Sequence, residues 1–110
     1  EKRLKEIENR TRFAGGEIVK LFGTGSAYYA PAQSAIEMAE SYLRDKKRVI
    51  PCASLCEGEF GIEGYFIGVP SVIGSGGVER ILEFDILNEE KQALSNTLDA
   101  VKKTVKETGL

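Results

Sequence analysis

The 110-residue sequence has no histidine and no tryptophan, and it has only two cysteines and three prolines. Without histidine, it lacks the side chain that most often acts as an acid or base near neutral pH, and a Ser-His-Asp or Cys-His arrangement is excluded. A closed zinc site would need an unusual set of carboxylate ligands. We therefore expect no catalytic residue of these kinds and no metal site.

The two cysteines, Cys52 and Cys56, lie four residues apart in a predicted strand. This spacing separates their α-carbons by roughly 13 Å, whereas a disulfide needs less than about 7 Å. Two free thiols are typical of a reducing cytosol. No apolar run approaches the ~20 residues of a membrane span, and the first residues lack the apolar segment of a signal peptide. We expect a soluble, cytoplasmic protein.

Charge gives no indication of a nucleic-acid partner. Fifteen basic and 17 acidic residues give a formal net charge of -2, and basic residues gather only between positions 44 and 48. Binding to phosphates needs a larger positive surface than this. Hydrophobic residues make up 42% of the chain, which is normal for a globular domain. We interpret residues 1–110 as one domain.

Three segments have a helical pattern. The first begins at Glu1 without an N-cap residue, as if cut from a longer helix, and Gly15-Gly16 predicts a break or kink within it. The second extends to Lys47 and should be regular from about Pro31, because proline fits the first turn of a helix. The third follows Asn88, a good N-cap residue, and ends near Gly109; its apolar stripe consists of Leu94, Leu98, Val101 and Val105.

Between the second and third helical segments the apolar pattern is typical of strands. We predict strands at Val49–Cys56, Tyr65–Ile73 and Val78–Ile86, joined as an antiparallel meander by glycine-containing loops. Pro51 and Pro70 each lack a backbone donor and predict edge positions or bulges. The apolar stripe of the third helix should cover one face of this sheet. The expected fold class is α+β, a three-stranded antiparallel sheet with flanking helices.

Several short motifs could form sites, but each has a simpler structural interpretation. The loop Gly23–Ser26 follows a helix and matches neither G-x-G-x-x-G nor a Walker loop, so we interpret it as a helix-to-helix turn and not a phosphate site. Gly74–Gly77 is typical of a hairpin turn. The carboxylate pairs at positions 57/59 and 37/40 lie where solvated charges are usual, which argues against an acid/base role.

Three motifs resemble one known family in their order and spacing. They are Gly-Ser-Ala-Tyr-Tyr-Ala-Pro-Ala at residues 25–32, Val-Ile-Pro-Cys at 49–52 and Gly-Val-Pro-Ser-Val-Ile-Gly at 68–74. Thr11-Arg12 followed by Gly15-Gly16-Glu17-Ile18-Val19 is similar to the same family. The chain resembles the carboxyl-terminal part of NAD-dependent malate dehydrogenases of the lactate dehydrogenase-like type. The resemblance extends from Arg10 to Glu107.

The resemblance implies that cofactor binding and catalysis depend on residues from two domains of the enzyme. In this family a Rossmann domain binds NAD, and the substrate domain carries a catalytic histidine-aspartate pair and a substrate-binding arginine. The chain matches only the region after that histidine, so we expect it to be a fragment without a catalytic residue of its own. By resemblance Ala27 lines the substrate pocket, and Pro31 approaches the nicotinamide ring. A small residue at position 27 leaves room for a dicarboxylate, which favours malate over lactate.

Two hypotheses follow. In the first, the chain is part of an NAD-dependent malate dehydrogenase that interconverts malate and oxaloacetate, and it is inactive alone. Its partners are then the remaining part of the same enzyme and the other subunits of a homo-oligomer, since the helices around Gly25 belong to a subunit interface in the family. In the second, the chain is a non-enzymatic α+β module that binds proteins through its amphipathic helices.

Overall fold

The structure is a computed structural model that describes residues 1–109, so residue 110 of the predicted domain lies outside the described residues. The chain forms two compact units, Glu1–Glu37 and a second that begins at Met38. The elements in chain order are the helices α1 (Lys2–Phe22) and α2 (Tyr29–Leu43), the strand β1 (Arg48–Glu57), a 3₁₀ turn (Glu59–Gly61), the strands β2 (Glu63–Gly74) and β3 (Gly77–Ile81), and the helix α3 (Asn88–Glu107).

Helix α1 is a single element of 21 residues, so the predicted break at Gly15-Gly16 is wrong. Glycine costs a helix about 1 kcal/mol relative to alanine but does not forbid helical dihedrals. The ion pair between Arg10 and Glu17 spans the glycines and offsets part of this cost. As the sequence predicts, no side chain caps the first turn. Gly23 ends the helix at φ 77°, where its N–H bonds the Val19 carbonyl at 3.1 Å.

Helix α2 begins at Tyr29, which places Pro31 in the first turn as predicted. It ends at Leu43, four residues before the predicted end at Lys47. The reason is the backbone of the following loop, where Asp45 and Lys47 adopt φ values of 49° and 52°. These values belong to the left-handed region, which stops an α-helix.

The sheet has the predicted antiparallel order β1-β2-β3. Strands β1 and β2 contain the first two predicted strands, but β3 ends at Ile81 and not at Ile86. Beyond Ile81, the Leu82 N–H still bonds the Pro70 carbonyl at 2.8 Å. The Glu83 carboxylate then accepts a bond from the Phe60 N–H at 2.6 Å, so the chain bonds the 3₁₀ turn instead of continuing the ladder.

The two prolines lie opposite each other in the register of β1 and β2. Pro51 lies on an edge strand as predicted, whereas Pro70 lies in the central strand, so the predicted edge position or bulge is wrong for Pro70. The Pro70 carbonyl points towards Leu82 on the β3 side. Because a strand residue directs its nitrogen and carbonyl to the same side, neither proline removes a hydrogen bond between β1 and β2.

The core of the second unit lies between α3 and one face of the sheet, as predicted. Its buried cluster consists of Cys56, Ile62, Ile67 and Val69. Leu94, Leu98 and Val101 of α3 pack against this cluster. Both cysteines are free. Helix α3 begins one residue earlier than predicted: Asn88 is its first residue, and Leu87 occupies the N-cap position, with its N–H bonded to the Glu90 carboxylate at 2.7 Å.

Candidate functional site

The two site residues predicted by resemblance lie at the turn between α1 and α2. Ala27 is half-buried, and its carbonyl accepts a hydrogen bond from the Ala30 N–H at 3.4 Å. Pro31 is exposed and lies four residues later in the first turn of α2. The structure therefore brings both residues together at one helix start. Their roles in binding stay a prediction.

Glycines shape this turn. Gly23 and Gly25 have φ values of 77° and 92°, which only glycine adopts without strain. A Cβ built on Gly25 would also run into the Tyr28 ring. Tyr28 itself has φ 26°, and its carbonyl accepts the Ala32 N–H at 3.1 Å. Gly23–Ser26 is thus the helix-to-helix turn that the sequence predicts.

An aromatic cluster lies at the same turn as Ala27, and the sequence predicts that its three rings belong to one exposed apolar patch. The Phe22 ring lies 6.5 Å from the Tyr28 ring and 6.0 Å from the Tyr29 ring, both in tilted geometry. All three rings are at least half exposed. The two consecutive tyrosines were a signal for this cluster, but the contact with Phe22 depends on the positive φ at Gly23 and Gly25.

The side chains of Ala27 and Pro31 carry no group that donates or accepts a proton. In the same unit the charged side chains form exposed ion pairs along α1. A hydrogen bond from Arg10 lowers the pKa of the Glu17 carboxyl, and the same contact raises the pKa of Arg10. Both groups therefore stay charged near neutral pH. Ala27 and Pro31 can give shape to a pocket but cannot transfer a proton.

One carboxylate of each predicted pair forms a structural contact in the second unit. The Glu59 carboxylate accepts the Glu57 N–H at 2.7 Å. Glu40 forms ion pairs with Lys46 at 2.8 Å and Arg44 at 3.0 Å, and the Lys46 hydrogen bond holds its pKa below the ordinary carboxyl value. Desolvation, followed by the nearby Glu59 and Glu83, raises the pKa of the Cys56 thiol. A buried thiol of this kind is a poor nucleophile.

A charged cluster ties the α2–β1 loop to the hairpin at Gly74–Gly77. The Lys47 ammonium lies 2.7 Å from the Glu79 carboxylate and 3.1 Å from Asp45. The Asp45 carboxylate also accepts the Ser75 N–H at 2.8 Å. A Cβ on Gly74 would collide with the Glu79 and Asp45 carboxylates. This glycine motif therefore forms a hairpin turn, as predicted.

Over residues 1–109, no three side chains of His, Cys, Asp or Glu are grouped so that they could hold a metal ion. Within the same part of the chain, no helix is long and apolar enough to cross a membrane. An open groove of about 420 Å³ lies beside α3, between Phe60, Phe84 and Leu98. None of the site residues predicted from the sequence lines this groove.

Comparisons with known proteins agree on one family. Residues 1–109 match the lactate/malate dehydrogenase, alpha/beta C-terminal domain. A malate dehydrogenase 1 from Anaeromyxobacter dehalogenans is 61% identical over 108 residues, which cover 98% of this chain and 35% of that protein. The chain thus spans about a third of the length of this curated relative.

Solved structures give the same result. The malate dehydrogenase from Salinibacter ruber is 46% identical with a TM-score of 0.92, covering 99% of this chain and 35% of that one. A lactate dehydrogenase from Eimeria maxima, solved with NADH and oxamate, is 45% identical with a TM-score of 0.89, covering 96% of this chain and 33% of that one.

Proposed function

Because this chain belongs to the lactate/malate dehydrogenase family and matches its alpha/beta C-terminal domain, we propose that it works as part of an NAD-dependent malate dehydrogenase. The enzyme interconverts malate and oxaloacetate by hydride transfer, and this chain supplies a wall of the substrate pocket and part of the subunit interface. The observation that carries the proposal is the match at 61% identity over 98% of the chain to a malate dehydrogenase.

Malate is favoured over lactate by the residues at the α1–α2 turn. Ala27 has a side chain of one methyl group and lies beside the proline of the first turn of α2. A small residue there leaves space for a substrate with a second carboxylate. Pro31 contacts the nicotinamide ring of NAD in this proposal, and both residues act through shape because neither carries a charge.

The acid/base and the substrate-binding cations come from outside this chain. The sequence has no histidine, and the arginines of the described first unit are engaged with glutamates along α1. Proton transfer and orientation of a carboxylate substrate need such groups. The partners are therefore the remaining part of the enzyme, including its NAD-binding domain, and further subunits of a homo-oligomer. Two free cysteines support a cytoplasmic location.

The experiment is a chimera with the Anaeromyxobacter dehalogenans enzyme in which the matching third is replaced by this chain. We expect malate-dependent NAD reduction by the chimera and none by the 110-residue chain alone. Ala27→Leu in the chimera should raise the KM for malate, because the larger side chain narrows the pocket. Ala35→Leu, on an exposed position of α2, is the matched control and should leave KM unchanged.

A folded chimera without activity, beside an active parent enzyme, would contradict the proposal. If the Ala27→Leu and Ala35→Leu chimeras had equal KM values for malate, Ala27 would not line the substrate pocket. The proposal that the chain is part of a malate dehydrogenase would be unaffected. The alternative of a free-standing binding module is not favoured, because the family match covers residues 1–109 and the relatives are dehydrogenases.

A further inference from the structure

The backbone on both sides of Ala27 has an unusual conformation. Gly25 has a φ of 92° and Tyr28 a φ of 26°, so both residues lie in the left-handed region. Glycine enters this region freely, whereas a residue with a Cβ is disfavoured there. Such residues persist only where surrounding contacts fix them, and they are concentrated at functional sites. The contacts of Tyr28 should therefore account for its conformation.

Tyr28 contacts several parts of the turn between α1 and α2. The hydroxyl end of its ring lies over Gly25, at the place where any other residue would carry its Cβ. The ring centre lies 6.5 Å from that of Phe22, the last residue of α1. The Tyr28 carbonyl accepts the Ala32 N–H at 3.1 Å at the start of α2. Tyr28 thus connects the end of one helix, the glycine turn and the start of the next helix.

The contact between Tyr28 and Gly25 depends on the missing side chain of the glycine. A Cβ built on Gly25 would overlap the Tyr28 hydroxyl and lie 2.9 Å from two carbons of the ring. Carbon atoms in good contact are about 3.5–4.0 Å apart, so the ring would have to move away. A Cβ on Gly23, by contrast, would meet nothing within 4 Å. Glycine at position 25 therefore serves both the backbone and the ring, whereas at position 23 it serves the backbone alone.

Ala27 lies between the two partners of this contact. Ser26 separates it from Gly25, and Tyr28 follows it directly. The Ala27 carbonyl accepts the Ala30 N–H at 3.4 Å, which is long for a backbone hydrogen bond. This bond alone holds the Ala27 peptide weakly. The ring contact closes the segment 25–28 around Ala27 and limits the directions in which its methyl group can point.

We propose that Tyr28 is a positioning residue for the substrate pocket, because its ring on Gly25 fixes Ala27 at the pocket wall. This role rests on the proposed function, in which Ala27 limits the size of that pocket. A methyl group excludes little volume, so its placement matters as much as its size, and shifts of about 1 Å affect substrate positioning. Tyr28 acts through Ala27 and should affect substrate binding, not hydride transfer.

The test uses the chimera with the Anaeromyxobacter dehalogenans enzyme. Tyr28→Asn removes the ring but introduces a residue that tolerates positive φ, so its effect comes from the lost ring contacts. We expect the KM for malate to rise about tenfold while kcat stays within about twofold of the parent value, because the acid/base groups are unchanged. Tyr28→Phe keeps the ring and should keep the parent KM. Tyr42→Asn, outside the turn, is the matched control and should change neither constant.

Gly25→Ala tests the same contact from its other side. It should raise the KM for malate, because the new Cβ displaces the ring and a φ of 92° disfavours alanine. In the Tyr28→Asn chimera the same substitution should have a smaller effect, since no ring remains to be displaced. A double-mutant cycle of the four chimeras measures this coupling. Equal effects of Gly25→Ala in both chimeras would overturn the proposal, because the two residues would then act independently.

Hydrogen exchange tests the turn without relying on activity. In mass spectrometry, the peptide that contains the Ala30 and Ala32 amides should exchange about tenfold faster in the Tyr28→Asn chimera than in the Tyr28→Phe chimera. Equal exchange in the two chimeras would overturn the positioning role. Faster exchange with an unchanged KM would also overturn it, because the ring would then hold the turn without shaping the pocket. An inactive parent chimera would contradict the proposed function, and the exchange rates would still decide whether Tyr28 holds the turn.

Discussion

Helices α1 and α3 are nearly equal in length, at 21 and 20 residues, and both are amphipathic, yet their apolar faces have different surroundings. Leu94 and Leu98 of α3 pack against the buried cluster of the sheet. Leu4 and Leu21 of α1 are 70% and 81% exposed. The unit Glu1–Glu37 contains no buried residue, whereas the second unit contains all of them. Amphipathicity alone therefore does not identify a core helix: the second unit supplies its own core, whereas no side chain of α1 is buried.

The largest expected effect tests this contrast with one substitution in each helix. Leu98→Asp places a carboxylate against the buried core cluster. An unpaired charge in such a position costs several kcal/mol, on the order of 3 or more, so we expect the second unit to unfold. Urea denaturation followed by far-ultraviolet circular dichroism measures the loss.

The matched variant Leu21→Asp should change the free energy of unfolding by less than about 0.5 kcal/mol in dilute samples, because Leu21 is 81% exposed. Ala100→Asp on the exposed side of α3 controls for helix propensity and charge. Equal destabilisation by Leu98→Asp and Leu21→Asp would break the comparison between the two units.

A smaller effect is expected from a buried hydroxyl. The Ser41 hydroxyl is fully buried, donates to the Ile73 carbonyl at 2.6 Å and accepts the Arg48 N–H at 3.2 Å. Ser41→Ala should destabilise the second unit by about 2 kcal/mol, because a buried carbonyl loses its donor. Ser34→Ala, in the first unit, removes only an exposed bond to the Ala30 carbonyl and should change stability by less than about 0.5 kcal/mol. Chemical denaturation curves of both variants give the difference; similar values for the two would contradict it.

Features that depend on local sequence could be predicted, whereas features that depend on contacts between distant residues could not. Alternating apolar residues predicted the sheet order, and the stripe of α3 predicted its contact through Leu98, because both signals are local and periodic. The end of β3 could not be predicted, since the Glu83 bond to the Phe60 N–H joins residues 23 positions apart. The burial of Ser41 likewise depends on Ile73, 32 positions away.

Local signals misled at the paired glycines of α1 and were insufficient at Ala27 and Pro31. The paired glycines of α1 predicted a break that does not occur. Glycine is unfavourable in a helix but not forbidden, and the Arg10–Glu17 ion pair spans this position. Ala27 and Pro31 were identified only through resemblance to a family. No physical property of an alanine and a proline marks them as site residues, although the sequence pattern alone did predict that Pro31 lies in the first turn of α2.

The smallest expected effect concerns pH and the charged cluster of the second unit. A hydrogen bond from the Ser75 N–H, followed by Lys47, lowers the pKa of Asp45, and Lys47 lowers the pKa of Glu79. A carboxyl whose pKa is depressed in the folded state adds stability above its unfolded pKa of about 4, and this stability is lost as the pH falls through the folded pKa. Conversely, Glu79 and Asp45 raise the pKa of Lys47, which adds stability that is lost only at strongly alkaline pH.

The urea midpoint should therefore fall as the pH is lowered from about 5 to 3. It should fall less in the double variant Asp45→Asn/Glu79→Gln, in which the amide oxygen introduced at position 45 can still accept the Ser75 N–H. Glu17→Gln is the matched variant, because the pKa of Glu17 is also lowered but its partner Arg10 lies on the same helix. It should alter the acid response of α1 helicity and leave the midpoint of the second unit unchanged. If the double variant and the parent chain lost the same stability between about pH 5 and 3, the cluster would not couple the loop to the hairpin.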